Sequence, residues 1–467
     1  MNKLYLDNIK KAHFIGIGGI SMSGLAEILN FRGILVTGSD VNETEITNHL
    51  REKGISVVIG QRGENIPADC ELVIYTAAVK EDNLELVAAQ QMGVHVIDRA
   101  ELLGCIMGLY KNSVGVAGTH GKTTTTSMVS EAMIHAGLDP TLNIGGIFTA
   151  IGSNFRIGES DYFVAESCEY FDSFVKFYPR VGIILNIEYD HTDYFKTMDQ
   201  LENSFKRFAG NISVDGLLVI NSEIDNLEKI ISGLQCRVVT YGKNGDYHAE
   251  NIEYAADGKP AFDVFYKGEL KTRTSLNISG LHNIENALAA FACCDFFGME
   301  SEVCAESLES FVGAKRRFEI KGSFGGVTVI DDYAHHPTEV AATLAAAKKH
   351  KHNKLFCAFQ PHTYSRTKAF LDRFAGSFAD ADVVVILDIY SARENFDETI
   401  HSKDLAERIG NLGKEVHYFD SFSAAKIFLV SQCAEGDMLM TMGAGDINKL
   451  GEDILFTELS TLSTDEK

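Results

Sequence analysis

The chain has 467 residues, about three times the length of a usual domain, so three cores are expected. With 45% hydrophobic and 23% charged residues it reads as a folded globular protein, which excludes disordered and fibrous classes. Lys and Arg (42) against Asp and Glu (65) leave a net charge of −23, so no broad phosphate-neutralising surface and no nucleic-acid partner are expected.

From Ala12 to about Met107 short apolar runs alternate with a helical pattern: HFIGI, then SMSGLAEILNFRG, ILVTGSD, ELVIYTAAV and VHVID. This is a βαβ rhythm and predicts a parallel sheet. The stretch from Phe14 to Ala26, preceded by Lys10 and Lys11, loosely resembles a signal peptide. Gly16, Gly18, Gly19 and Gly24 fit a phosphate-binding turn better than a membrane-inserted helix. No other run is long enough to span a bilayer, so no membrane insertion and a cytoplasmic location are expected. The turn sits between a strand and a helix, where backbone amides and the positive helix end suit a diphosphate, and Asp40 ends the next strand. Ser21 replaces the third glycine of GxGxxG, so the turn reads either as a phosphate site or simply as a tight turn.

A second unit begins at the strand SVGVA, passes through GTHGKTTTT and continues as a helix from about Thr123 to Ala136. Lys122 is placed to reach the outer phosphates of a triphosphate, loop amides to surround them, and the Thr123 hydroxyl to ligate Mg²⁺. Val116 stands where the strict phosphate-loop pattern has its first glycine. Two more strands end in oxygen or nitrogen ligands: DYFVA runs into Glu166, and VGIIL leads through Asn186 to Asp190, His191 and Asp193. A third unit opens at VTVIDDYAHHP, with Pro337 near a helix start, and continues through KLFCAF, DVVVILDI and DMLMTMG. The nine cysteines show no CxxC spacing, so free thiols and no structural zinc are expected.

Taken together, GTHGKTTTT, the AES of Ala165 to Ser167, NIEYDHTDYF, LHNIENALAA, KRRFE and DDYAHHPTE resemble the Mur ligases, in the order of that family and over about residues 13 to 446. GIGGISMSGLA and QPHTYSRT resemble its alanine-adding branch. The resemblance implies an α/β protein of three domains: a Rossmann-like UDP-sugar domain (1–108), a central P-loop-type ATPase domain with a mostly parallel sheet (109–314) and a Rossmann-like amino-acid domain (315–467). It implies ATP-dependent joining of L-alanine to UDP-N-acetylmuramic acid, with ATP and Mg²⁺, or Mn²⁺, as cofactors. All partners are then small molecules, and the assembly is a monomer or homodimer.

By the same resemblance the nucleotide is held by Gly118, Thr119, His120, Gly121, Lys122, Thr123 and Thr124, with His282, Asn283 and Asn286 near adenine and ribose. Arg317 and Asp332 close on it from the hinge and the third domain. Asn286 reads equally as a packed or capping residue of an alanine-rich helix. Thr123, Glu166 and His191 are the implied metal ligands, and Gly16, Gly18, Gly19, Ser21, Ser39 and Asp40 the implied UDP-sugar contacts. His335, His336 and Arg366 are assigned jointly to the carboxylate ends of the substrates. Thr363 stands where some relatives carry a second arginine, and Lys206 is given no carbamylated role. Rival readings are a ligase adding a recycled peptide, a later amino acid or a folate glutamate, an NAD-dependent oxidoreductase, and a nucleotide-binding regulator without catalysis.

Overall fold

A computed structural model describes residues 6–76 and 78–462. The first sheet comprises β1 (Lys11–Ile15), β2 (Leu35–Asp40), β3 (Ser56–Ile59), β4 (Leu72–Tyr75) and β5 (His95–Asp98). Its order is β3-β2-β1-β4-β5, parallel throughout, the doubly wound arrangement in which the chain switches direction at β1. Ala77, inside the predicted run ELVIYTAAV, lies outside the described residues, as do 1–5 and 463–467 of the two expected outer domains.

The second sheet has ten strands: β6 (Asn112–Ala117), β7 (Thr141–Phe148), β8 (Ser153–Arg156), β9 (Tyr162–Glu166), β10 (Val181–Ile184), β11 (Leu217–Asn221), β12 (Arg237–Tyr241), β13 (Tyr247–Tyr254), β14 (Pro260–Tyr266) and β15 (Glu269–Ser275). Their order is β15-β14-β13-β12-β11-β10-β6-β9-β7-β8. From β12 to β7 the sheet is parallel and its central strands are wholly apolar, as burial on both faces requires. The β13–β15 meander and β8 are antiparallel additions at the two edges.

The third sheet holds β16 (Glu319–Phe324), β17 (Val327–Asp332), β18 (Leu355–Phe359), β19 (Val383–Leu387), β20 (Glu415–Phe419) and β21 (Met438–Met442), in the order β16-β17-β21-β18-β19-β20. Only β16 runs antiparallel. The sheets part between Asp98 and Asn112 and between Ser275 and Glu319. The expected cut at 108 falls within the helix Arg99–Leu109, which packs both on the first sheet and on the 170–176 segment of the second unit. No helix among the described residues is long and apolar enough to cross a membrane.

The helix Lys122–His135 shows how a polar sequence enters a core. Thr123 to Ser127 are all buried on it. The hydroxyls of Thr126 and Ser130 donate to the carbonyls of Lys122 and Thr126, both at 2.7 Å, so two of them go into the interior with their own backbone as acceptor. Gly24, read from sequence as part of a phosphate turn, instead lies inside the helix Ile20–Phe31. A Cβ there would come within 2.8 Å of the Phe155 ring, so the missing side chain lets the first unit seat against β8.

Candidate active site at the joint of the second and third units

Parallel strands deliver their following loops to one edge of a sheet, and β6, β9 and β10 all end there. The GTHGK turn leaves β6 with Gly118 at φ 143° and Gly121 at φ 82°. A Cβ on Gly118 would lie 2.9 Å from Leu185 Cβ, and one on Gly121 2.9 Å from Asn286 Oδ1, so both conformation and close approach require glycine. Asn186 pins the turn: its Oδ1 accepts from the His120 amide at 2.8 Å and its Nδ2 donates to the His120 carbonyl at 3.1 Å. Thr119 Oγ1 donates to the Glu188 carbonyl and accepts from the Glu188 amide, so this side chain stitches the loop to β10 and does not face a ligand.

Lys122 begins the helix and its ammonium donates to the carbonyls of Gly118 (2.5 Å) and Thr119 (3.1 Å) and to Glu169 (3.0 Å). Burial disfavours the Lys122 charge, but Glu169 more than offsets this and raises its pKa. Burial likewise opposes ionisation of Glu169, yet Lys122, then His191, hold its carboxyl down to about 2. Glu169 escaped the sequence reading because only Glu166 immediately follows the strand; the turn that returns Glu169 to the lysine is folded by left-handed Phe171 and Asp172.

Next to Lys122, Thr123 Oγ1 donates to Glu166 Oε2 at 2.8 Å, and that carboxylate also accepts from the Gly145 amide at 3.0 Å. Arg317 reaches Thr123 Oγ1 at 3.4 Å from the hinge. His191, left-handed at φ 50°, is stacked on Tyr170 and brings Nε2 to 3.3 Å from Glu169. The expected metal ligands thus fall into two neighbouring groups, Thr123 with Glu166, and His191 with Glu169 and Cys168. Lys206 is not among them; its ammonium donates to Ser232.

A cavity of about 250 Å³ lies between this loop and the third unit, walled by Gly121, Thr124, His282, Asn286, Arg317 and Asp332 among others. Asn283 donates to the Ser279 carbonyl and accepts from Asn286, whose Oδ1 faces Gly121; the pair is buried and lines the cavity at once. Asp332 accepts from the amides of Phe318 (2.7 Å) and Ala334 (2.8 Å), tying the hinge to the end of β17, and its burial pushes the carboxyl up to about 6.

The third unit is clasped to the loop by charge. His120 Nδ1 lies 3.0 Å from Glu339, and although burial opposes its charge, Glu339 and Glu188 raise it to about 9. Thr338 donates to Glu188 at 2.7 Å. The sequence-predicted carboxylate trio is placed differently from a simple clamp. His336 is fully buried, caps the helix Pro337–Ala347 by accepting from the Thr338 amide, and stacks on His120. Arg366 forms a fork with Asp190, Nε to Oδ1 at 2.9 Å and Nη2 to Oδ2 at 3.2 Å. Thr363 caps the helix of Arg366 instead of supplying a second fork. His335 donates its amide to Glu339 and lies edge-on to His362, a residue the sequence reading quoted but did not single out.

At the far end of the molecule the glycine turn of β1 satisfies much of its own backbone. The Gly16 and Ile17 amides donate to the Ser39 carbonyl, Gly18 to Asp40 at 2.9 Å and Gly19 to Gly16. Ser39 is buried with its hydroxyl on Glu85, so it and Asp40 shape the turn. Ser21 receives a hydrogen bond from Arg99 at 3.0 Å, which brings a cation to this helix start that the sequence reading passed over.

Three family profiles match: Mur ligase family, catalytic domain, over residues 11–111; Mur ligase middle domain over 116–294; and Mur ligase, glutamate ligase domain, over 316–445. The UDP-N-acetylmuramate--L-alanine ligase of Agathobacter rectalis is 49% identical over 445 residues, covering 95% of this chain and 97% of that one. The crystal structure of the UDP-N-acetylmuramate-alanine ligase of Thermotoga maritima superposes with a TM-score of 0.79 at 31% identity, covering 97% and 99% of the two chains. A murein peptide ligase from Psychrobacter arcticus gives 0.67 at 25% identity, covering 96% and 98%. With matches that run through all three sheets and include the lysine-bearing turn, the chain belongs to the Mur ligase family.

Proposed function

We propose that this enzyme joins L-alanine to the carboxylate of UDP-N-acetylmuramic acid at the expense of ATP, in peptidoglycan precursor synthesis. One observation carries the reading: Lys122 and the Thr123–Glu166 pair stand together at the mouth of a cavity shared with the third unit, where Arg317 also arrives. The relatives named above supply the substrates. Residues 1–108 hold the UDP-sugar, with the turn at Gly16, Gly18 and Gly19 and the helix start at Ser21 toward the diphosphate, Arg99 adding charge. Residues 109–314 hold ATP and residues 315–467 the amino acid. The setting is the cytoplasm, and the protein acts as a monomer or homodimer.

The oxygen donors Thr123 Oγ1 and Glu166 Oε2 converge as a hard cation requires, so they fit Mg²⁺ or Mn²⁺, with His191 at a neighbouring position. When bound, the cation supplies charge neutralisation of the phosphates. Lys122 and the loop amides hold the triphosphate while the sugar carboxylate oxygen attacks the γ-phosphorus and the bond to ADP breaks. Arg317 and Asp332 keep the hinge closed, so water is excluded from the acyl phosphate. The free amine of alanine then attacks the acyl carbon, phosphate leaves with its oxygen, and the amine proton is lost. His335, which burial holds down to about 4, is neutral at pH 7 and lies at this end of the site with His362 and Arg366.

Phosphate release from ATP, UDP-N-acetylmuramic acid and a panel of acceptors tests the reading. Release with L-alanine should exceed that with other amino acids and with a tripeptide; preference for the tripeptide would make this a peptide-recycling ligase. Gly145→Ala tests the Thr123–Glu166 pair. The new Cβ would stand 2.3 Å from Glu166 Oε2, and only that flexible carboxylate need move. The variant should fold and melt like the parent while kcat falls about a hundredfold, as for an ångström-scale displacement of a reacting group. An unchanged kcat would remove Glu166 from the chemistry.

A further inference from the structure

Glu169 is the most buried charged group beside the loop, 1% exposed, and it touches both Lys122, at 3.0 and 3.3 Å, and His191, at 3.3 Å. The three protons of Lys122 are all taken, by Gly118, Thr119 and Glu169. A lysine so held points back into its own loop. To reach the phosphates it must leave the carboxylate, and the phosphates must compete with that ion pair.

We propose that Glu169 is a positioning residue that stores Lys122 in the nucleotide-free loop, releases it to the arriving triphosphate, and keeps its contact with His191 afterwards. The geometry gives it this double role because a single carboxylate spans the helix start and the loop after β10. A surface carboxylate in its place would be screened and would hold neither partner in one orientation. Glu166 does not perform this task, since its oxygens are taken by Thr123 and Gly145.

This inference rests on the reading that the GTHGK turn binds the triphosphate, and the test separates the two. Binding of a fluorescent ATP analogue is measured by titration in EDTA, where the ion pair is the main competitor, for the parent, Glu169→Gln and Glu169→Asp. Glutamine should tighten binding roughly fivefold, and aspartate, which keeps the charge but draws it back, by less. In a Lys122→Met background the Glu169→Gln gain should vanish, because the effect passes through the lysine. An equal gain in that background would reveal a general charge effect and overturn the proposal, as would no gain in either folded variant. If glutamine prevents folding, the aspartate variant alone decides by the same criterion. The expected cost appears in turnover: kcat of Glu169→Gln with Mg²⁺ should drop about tenfold as His191 loses its partner, with the KM for ATP unchanged or lower. A parent that binds analogue only outside this loop would defeat the underlying reading instead.

Discussion

Lys122→Ala should reduce ligation on the order of a thousandfold while leaving the affinity for UDP-N-acetylmuramic acid within about twofold of the parent. The size follows from what the ammonium does. It is the one cation of the loop close enough to follow negative charge as it gathers on the transferring phosphoryl group, and it works in a site where water is scarce. The sparing of the sugar nucleotide follows from distance, since the turn at Gly16 to Gly19 belongs to a different sheet with its own hydrogen bonds. Steady-state assay with isothermal titration of the sugar nucleotide checks both halves. Alanine also leaves Glu169 buried with only His191 as cationic partner, so some loss of stability is expected, and the titration guards against mistaking it for lost chemistry.

Arg366→Met should loosen the third unit from the second. Asp190 and Arg366 are 6% and 8% exposed, come from different units and meet in two hydrogen bonds. Removing one member of such a pair leaves an uncompensated buried charge, a cost of about 3 to 5 kcal/mol, whereas removing both costs much less than the sum. Arg366→Met and Asp190→Asn should therefore each lower the unfolding midpoint, and the double variant should recover much of the loss. Activity separates the two roles open to Arg366. If it also receives a substrate carboxylate, the double variant stays inactive with a raised KM for alanine. If it serves only as a clasp, activity returns with stability. Additive losses in the double variant would show that the pair is not a coupled unit.

Much of this was legible in the sequence because the site is built from strand ends. GTHGKT, Glu166, Asn186 and His191 each follow an apolar strand within a few residues, and strand-to-loop position alone brings them together. Asp332, Arg317 and the Pro337 helix start were legible for the same reason. What could not be read were contacts made by side chains that turn back. Glu169 returns through two left-handed residues, Glu188 reaches Thr338 across 150 residues, and Arg366 finds Asp190 across 176. Composition also hid the short polar strands. β3 is SVVI with three of its four residues exposed, and β13 is largely charged or polar, so neither presents the apolar run that reveals a buried strand. His336 was read as a ligand because histidines beside DDY suggest chemistry; in the fold its ring is a helix cap.

The measurement that tests the account most directly is a crystal structure of the protein with UDP-N-acetylmuramic acid, a non-hydrolysable ATP analogue and Mg²⁺. The account predicts the γ-phosphate beside Lys122, the cation between it and the Thr123–Glu166 pair, and the sugar carboxylate in line behind the phosphorus. A triphosphate bound away from the Gly118–Thr123 turn, or a carboxylate too remote for in-line attack, would contradict it.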